Sequence, residues 1–247
     1  MAPNAEWRHR IDRWVEHLKE LFYVPLGPVG FKGFTTHDQL TPQQALRGPF
    51  KPMPPGTRYG AKWEYAWLKA TLTLPKEARG ERIVLRADTG GESAVWVNGT
   101  AAGAQDWMHR EITLAVKGVP GKTYDILFET YAGHGPTPCG DGPVPHGQSS
   151  VPEPPAAQRE VKQSSFGIWN EDVYQAWLDV QTLLELRDNI EQDSLRVAEI
   201  DEALRAFTLI ADLELPRAEL LASIARARAR LKPLLHCTNG STSPLMY

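Results

Sequence analysis

The chain has little of what several functional classes require. Two cysteines, Cys139 and Cys237, in 247 residues are too few to staple a chain this long, so a disulfide framework is excluded. Positive charge is in no excess: 27 Lys and Arg against 30 Asp and Glu leave a formal charge of −3. That balance offers no footprint for a phosphate backbone or an anionic lipid surface, so neither nucleic acid nor membrane is an expected partner. No apolar run approaches the roughly 18–20 residues of a membrane span. The start carries Glu6, Arg8, Arg10 and Asp12 where a secretory signal needs an apolar core. The expected setting is therefore cytoplasmic and reducing, with the sequons Asn98-Gly99-Thr100 and Asn239-Gly240-Ser241 unglycosylated. Catalytic motifs are also missing. None of the seven histidines heads an H-E-x-x-H pair, and Gly140-x-Gly142 lacks the strand, third glycine and helix of a nucleotide-binding loop.

What the chain does have is enough apolar residue, 42%, for one large or two modest cores, and prolines and glycines that cluster and so divide it. Trp7, Ile11, Trp14, Leu18 and Leu21 recur at helical spacing and predict an amphipathic helix ending before Pro25. With the Pro-rich stretch behind it, which reads as an extended arm, this helix makes a first segment, 1–60. Over 61–131 the period changes to two. Leu68, Ala70, Leu72 and Leu74 alternate with Lys69, Thr71 and Thr73, and further strands are predicted around Ile83–Ala87, Val95–Val97, His109–Val116 and Tyr124–Tyr131. Asn98-Gly99 suits a tight type I′ hairpin turn. Residues 132–165 form a Pro/Gly/Ser-rich loop. Over 166–235 three helices are predicted: one after Asn170 burying Val173, Trp177, Val180 and Leu184, one from near Ser194, and one from Pro216 limited by Pro233. The fold class is α+β: an antiparallel β-sandwich of jelly-roll, galactose-binding-like type with an N-terminal helix, followed by a small three-helix segment. Three short helices and one sandwich should leave apolar stripes such as Val173/Trp177/Val180 and Leu220/Ile224/Leu231 partly uncovered.

Four side-chain constellations bear on chemistry. His109-x-Glu111 with Pro138-Cys139 resembles a zinc-deaminase signature, but Gly142 stands where the second cysteine belongs. His134, Cys139, Asp141 and His146 lack the spacing of a metal motif and read as a solvated loop. Arg226, Arg228 and Arg230 scatter over a solvated helix face. The candidate carbohydrate-binding residues are Trp63, Tyr65, Trp67, Asp88, Glu92 and Trp107, since aromatic faces beside carboxylates suit a sugar surface. Core packing is the competing explanation for each aromatic.

Several stretches, taken in order, resemble the N-terminal region of cytosolic α-mannosidases of glycoside hydrolase family 38. They are Tyr59–Leu68, Leu85–Glu92 with Val97-Asn98-Gly99, Glu129–Pro136, Phe166–Tyr174, Asn189–Leu204, and Leu231–Leu235 followed by Asn239–Thr242. The resemblance implies a parent enzyme whose catalytic domain opens with a G-H-x-H-x-D motif, binds a divalent metal, usually zinc, and retains configuration through a glycosyl-enzyme intermediate. That motif does not occur here, so no catalytic residue and no metal ligand is assigned, and no cofactor is expected in this segment. The implied partners are a downstream catalytic domain, a further copy of the chain in a homo-oligomer, and a mannose-containing oligosaccharide. Residues 236–247, with the apolar run Leu245-Met246-Tyr247, are expected to begin the strand that leads into the catalytic domain. The alternative is a stand-alone carbohydrate-binding module.

Overall fold

The alternation in 65–73 folds as expected. In the computed structural model, which describes residues 5–135, 146 and 155–236, Tyr65–Thr73 is a long central strand whose even members point into a core. The elements in chain order are helix α1 (Ala5–Leu21); strands β1 (Tyr23–Pro28) and β2 (Phe31–Thr36); helix α2 (Pro42–Ala45); strands β3 (Lys51–Met53), β4 (Arg58–Tyr59), β5 (Tyr65–Thr73), β6 (Ile83–Arg86), β7 (Ser93–Val97), β8 (Thr100–Gln105), β9 (Glu111–Ala115), β10 (Thr123–Tyr131), β11 (Arg159–Glu160) and β12 (Ser165–Trp169); and helices α3 (Glu171–Asn189), α4 (Leu195–Ile210) and α5 (Arg217–Leu235). They form two compact units, Val24–Trp169 and the flanking segments up to Tyr23 and from Asn170.

The first unit is an antiparallel sandwich. A six-stranded sheet in the order β3-β2-β5-β10-β7-β8 faces a four-stranded sheet, β1-β12-β6-β9, and β11 pairs with β4 beside them. Leu68, Ala70, Ile126, Phe128, Val95 and Phe31 from the larger sheet meet Ile83, Leu85, Ile112, Phe166 and Ile168 from the smaller in one buried cluster. Between β7 and β8, Asn98 and Gly99 both take positive φ, 51° and 78°, as a type I′ turn requires.

The arm expected over 25–60 is in fact four strands and a helix. Pro25, Pro28 and Pro52 lie in β1 and β3, and both strands are sheet edges. An edge strand pairs on one side only, so a missing N–H can face away from the ladder. Helix α2 is started by a capping box: Thr41 Oγ1 accepts from the Gln44 amide and Gln44 Oε1 from the Thr41 amide. At the other end of the unit, Phe166 and Ile168 belong to β12, in register with Leu85 and Ile83, and the helices begin only at Glu171.

The second unit corrects the three-helix expectation, because α1 packs with the three later helices. Helix α3 packs against α1, α4 and α5, and α4 against α5. Ile11, Val15 and Leu18 join Val173, Val180, Ile200, Leu204, Phe207, Leu220, Ile224 and Leu231 in one cluster. The stripes expected to stay uncovered are therefore buried, apart from a half-buried Trp177: α1 packs on α3, and α3 and α4 cover α5. The Trp14 ring meets Phe207 edge-on at 5.0 Å. Arg228, expected in solvent, pairs with Asp179 of α3 at 2.7 Å. Asn170 does not cap α3 through its side chain; its Nδ2 donates to the carbonyl of Leu21 at 2.6 Å. Ser194 does cap α4, accepting from the Val197 amide. Helix α5 continues past Pro233 to Leu235. The strand expected at Leu245-Met246-Tyr247, like Cys139 and Asp141, lies outside the described residues.

Candidate functional site

At one end of the sandwich the chain turns sharply between β6 and β7, and a buried hydroxyl chain fixes the turn. Thr89 Oγ1 and Ser93 Oγ are 2.8 Å apart, and Ser93 Oγ is 2.8 Å from Thr130 Oγ1 on β10. The buried Tyr59 hydroxyl donates to the Thr89 carbonyl, and burial pushes its pKa well above the usual phenol value. Gly90 has φ +91°, and a Cβ there would stand 2.4 Å from the Glu160 carbonyl oxygen, so the turn can approach β11 only with glycine. Asp88 accepts from the Gly90 amide at 3.1 Å and pairs with Arg110 at 3.1 Å. Glu92 is thereby held at the rim, where three recesses meet.

The largest, about 660 Å3, is lined by Tyr65, Glu92, Ser93, Ala94, Ala104, Gln105, Asp106, His109, Glu129 and Tyr131. A second of about 480 Å3 runs from Glu92 and Tyr131 past His134 to Arg58 and Arg159. The third, about 170 Å3, joins Asp88 and Glu92 to Trp107, Arg110 and Lys162. Glu92 lines all three.

The six residues proposed from the sequence are distributed unevenly around these recesses. Asp88, Glu92 and Trp107 share the smallest, and Tyr65 and Glu92 share the largest. Trp63 stands at a positive φ of 65° with its ring 5.6 Å from that of His134. Trp67 is removed from the set. It is 0% exposed and packs with Ala45 and Leu127 beneath Phe34, Leu40, Phe50 and Trp96, so it has no face to offer a ligand. Trp67 stands on the same face of β5 as Lys69 and Thr71, but the α2 segment covers that part of the sheet.

Sequence reasoning missed Glu129 and Tyr131 as site residues. They are alternate residues of β10, and the register sets Tyr131 opposite Tyr65 and Glu129 between Trp67 and Ala94; only strand pairing reveals that proximity. The Tyr65 and Tyr131 rings lie 5.1 Å apart, and burial followed by the charge of Tyr65 pushes the Tyr131 hydroxyl up. Burial also pushes the Glu129 carboxyl above its usual range. His109 Nδ1 is 3.1 Å from both oxygens of Asp106, and this hydrogen bond, with the backbone amides of His109 and Met108, holds Asp106 below the usual carboxylate range. Among the described residues no group of three or more His, Cys, Asp or Glu is arranged to hold a metal ion. Nor is any of their helices long and apolar enough to cross a membrane.

Residues 28–139 match the family model described as "Alpha-mannosidase, jelly roll domain". This part of the chain is similar to the jelly-roll domain of α-mannosidases. Among curated proteins, Alpha-mannosidase 2C1 of Homo sapiens is 26% identical over 110 residues, 40% of this chain and 11% of that protein. Alpha-mannosidase 2C1 of Mus musculus is 24% identical over 209 residues, 77% of this chain and 19% of that protein. The chain thus spans less than a fifth of the length of either relative. Among solved structures, β-glucuronidase from Ruminococcus gnavus superposes with a TM-score of 0.40 at 14% identity, over 60% of this chain and 29% of that one. Faecalibacterium prausnitzii β-glucuronidase gives 0.37 at 15%, over 60% and 31%.

Proposed function

We propose that the chain is the accessory N-terminal segment of a retaining, metal-dependent family-38 α-mannosidase, acting with a catalytic domain that removes terminal α-mannosides from oligosaccharides. One observation supports this reading: residues 28–139 match the α-mannosidase jelly-roll model, in a chain that spans only 11% and 19% of relatives named α-mannosidases. In this reading the jelly roll shapes the approach to the active site, the helical unit helps assemble a homo-oligomer, and the whole works in the cytoplasm. The divalent metal belongs to the catalytic domain. Among the described residues no group of three or more His, Cys, Asp or Glu is arranged to hold one.

The test is reconstitution. The chain is co-expressed with a family-38 catalytic domain encoded beside it, and turnover of an aryl α-mannoside is followed. The expected result is co-purification, with activity that the catalytic domain alone does not reach and the chain alone does not show. Turnover by the pure chain, abolished by a chelator, overturns the accessory reading. The stand-alone carbohydrate-binding module is a second reading, favoured by Glu92 and Glu129, which have no ion-pair partner among the described residues. A chain that binds mannosides yet never associates with a catalytic domain fits it.

A further inference from the structure

The outer face of the six-stranded sheet changes character along one cross-strand row. Trp67, Glu129, Ala94 and Ala104 stand in register on β5, β10, β7 and β8. At the Trp67 end the α2 segment covers the face. At the other end two alanines follow a tryptophan, and the drop in side-chain size leaves the hollow of about 660 Å3, within the roughly 300–1,000 Å3 of small-molecule sites. Its floor is alanine methyl, one wall is the Tyr65–Tyr131 pair, and the opposite wall is Asp106 with His109.

Two carboxylates of this hollow go unused by the fold. Neither Glu92 nor Glu129 has a side-chain hydrogen bond or ion pair among the described residues. Gln105 borders the hollow but faces inward, standing opposite the buried Ser93 with its Nε2 donating to Thr89 Oγ1 at 3.4 Å. Glu92 is exposed, whereas Glu129 is half-buried, and an unpaired, half-buried carboxylate is costly, so the arrangement fits a ligand that brings donors to Glu129.

We infer that this groove binds a short neutral glycan, stacking a sugar ring on the Tyr65–Tyr131 wall and receiving its hydroxyls on Glu92 and Glu129. The lining contains three carboxylates and no Lys or Arg, which repels anionic ligands. Burial drives Glu129 toward its neutral form, which weakens attraction for a cation but still allows hydrogen bonds to hydroxyls. The groove stands on this geometry; the choice of mannose as the sugar rests on the α-mannosidase reading above.

Titration calorimetry of the full chain with mannobiose, cellobiose and spermidine tests the inference. Mannobiose is expected to bind, and Tyr131→Ala to weaken it by about tenfold or more, as loss of a central aromatic contact does. Because Tyr131 also packs on Tyr65, Ala104→Arg serves as a second variant: Ala104 is exposed on an edge strand, and the longer side chain fills the groove without touching the core. It should abolish binding, while Val119→Ala, at an exposed position outside the groove, should leave it unchanged. Cellobiose binding that Ala104→Arg removes, without mannobiose binding, keeps the glycan groove and rejects mannose as its sugar. Binding of spermidine alone, no saccharide binding at all, or mannobiose affinity untouched by Ala104→Arg overturns the inference.

Discussion

Arg217 donates two hydrogen bonds, at 3.1 and 2.9 Å, to the side-chain oxygen of Asn170. The same buried asparagine gives its amide to the Leu21 carbonyl at 2.6 Å, so one side chain joins the end of α1, the start of α3 and the start of α5. Hydrogen bonds to charged groups contribute roughly 1.5–3 kcal/mol each, and a buried carbonyl left unpaired costs about as much. Asn170→Ala should destabilise the helical unit by about 2–4 kcal/mol, read as a lower urea midpoint in far-ultraviolet circular dichroism. Asn170→Asp keeps the acceptor for Arg217 and should recover part of the loss.

Two tryptophans that look alike in the sequence should behave in opposite ways. Trp67 is 0% exposed and Trp107 is 75% exposed. Trp67→Ala should cost about 3–5 kcal/mol through the cavity it leaves, and Trp107→Ala should stay within about 0.5 kcal/mol. Thermal melts of the two variants decide this; equal losses would mean that α2 does not cover the sheet.

The helical unit should be sensitive to acid through Asp188. Burial raises the pKa of this carboxyl, but hydrogen bonds and charge from Arg8 and Arg187 outweigh that effect and hold it below its ordinary 3.8. A depressed carboxylate stabilises the fold above its unfolded pKa and stops doing so as pH falls through the folded value. Asp188→Asn should therefore be less stable than the parent at pH 7, and the gap should close below pH 3.8. Paired denaturant curves across that range measure it.

Glu129 carries the opposite sign. Burial raises its pKa above the ordinary 4.5, so the folded state holds a proton that the unfolded state releases, and stability falls as pH rises through that window. Glu129→Gln should raise the melting temperature at pH 7, with the gain vanishing below pH 4.5 where both side chains are neutral. If the groove binds glycan, the same variant should alter affinity, exchanging function for stability.

Much of the fold was legible because periodicity carries it. The alternation from Leu68 to Leu74, the Asn98-Gly99 turn and the stripes of α3, α4 and α5 all arise from local spacing. Prolines misled over 25–60 because their effect depends on whether a strand lies at an edge, which no single strand reveals. The cover over Val173 and Val180 was missed for a related reason: α1, which packs on α3, is far from those residues in sequence. The site was less legible still. Glu92 and Tyr65 were found by residue type, but Glu129 and Tyr131 reach them only through the pairing of β5, β10 and β7. Trp67 was misassigned because a neighbouring segment, rather than its own strand, buries it.

The pairing of α1 with α3, α4 and α5 also sets a timetable. Ile11, Val15 and Leu18 are made first on the ribosome, but the surfaces that bury them are made only after the whole sandwich has been translated. At about 5–20 residues per second that interval lasts on the order of ten seconds or more. During it the first helix is an orphan amphipathic segment, a ready client for chaperones or for a neighbouring nascent chain. The sandwich, whose sequence is contiguous, can fold within that wait.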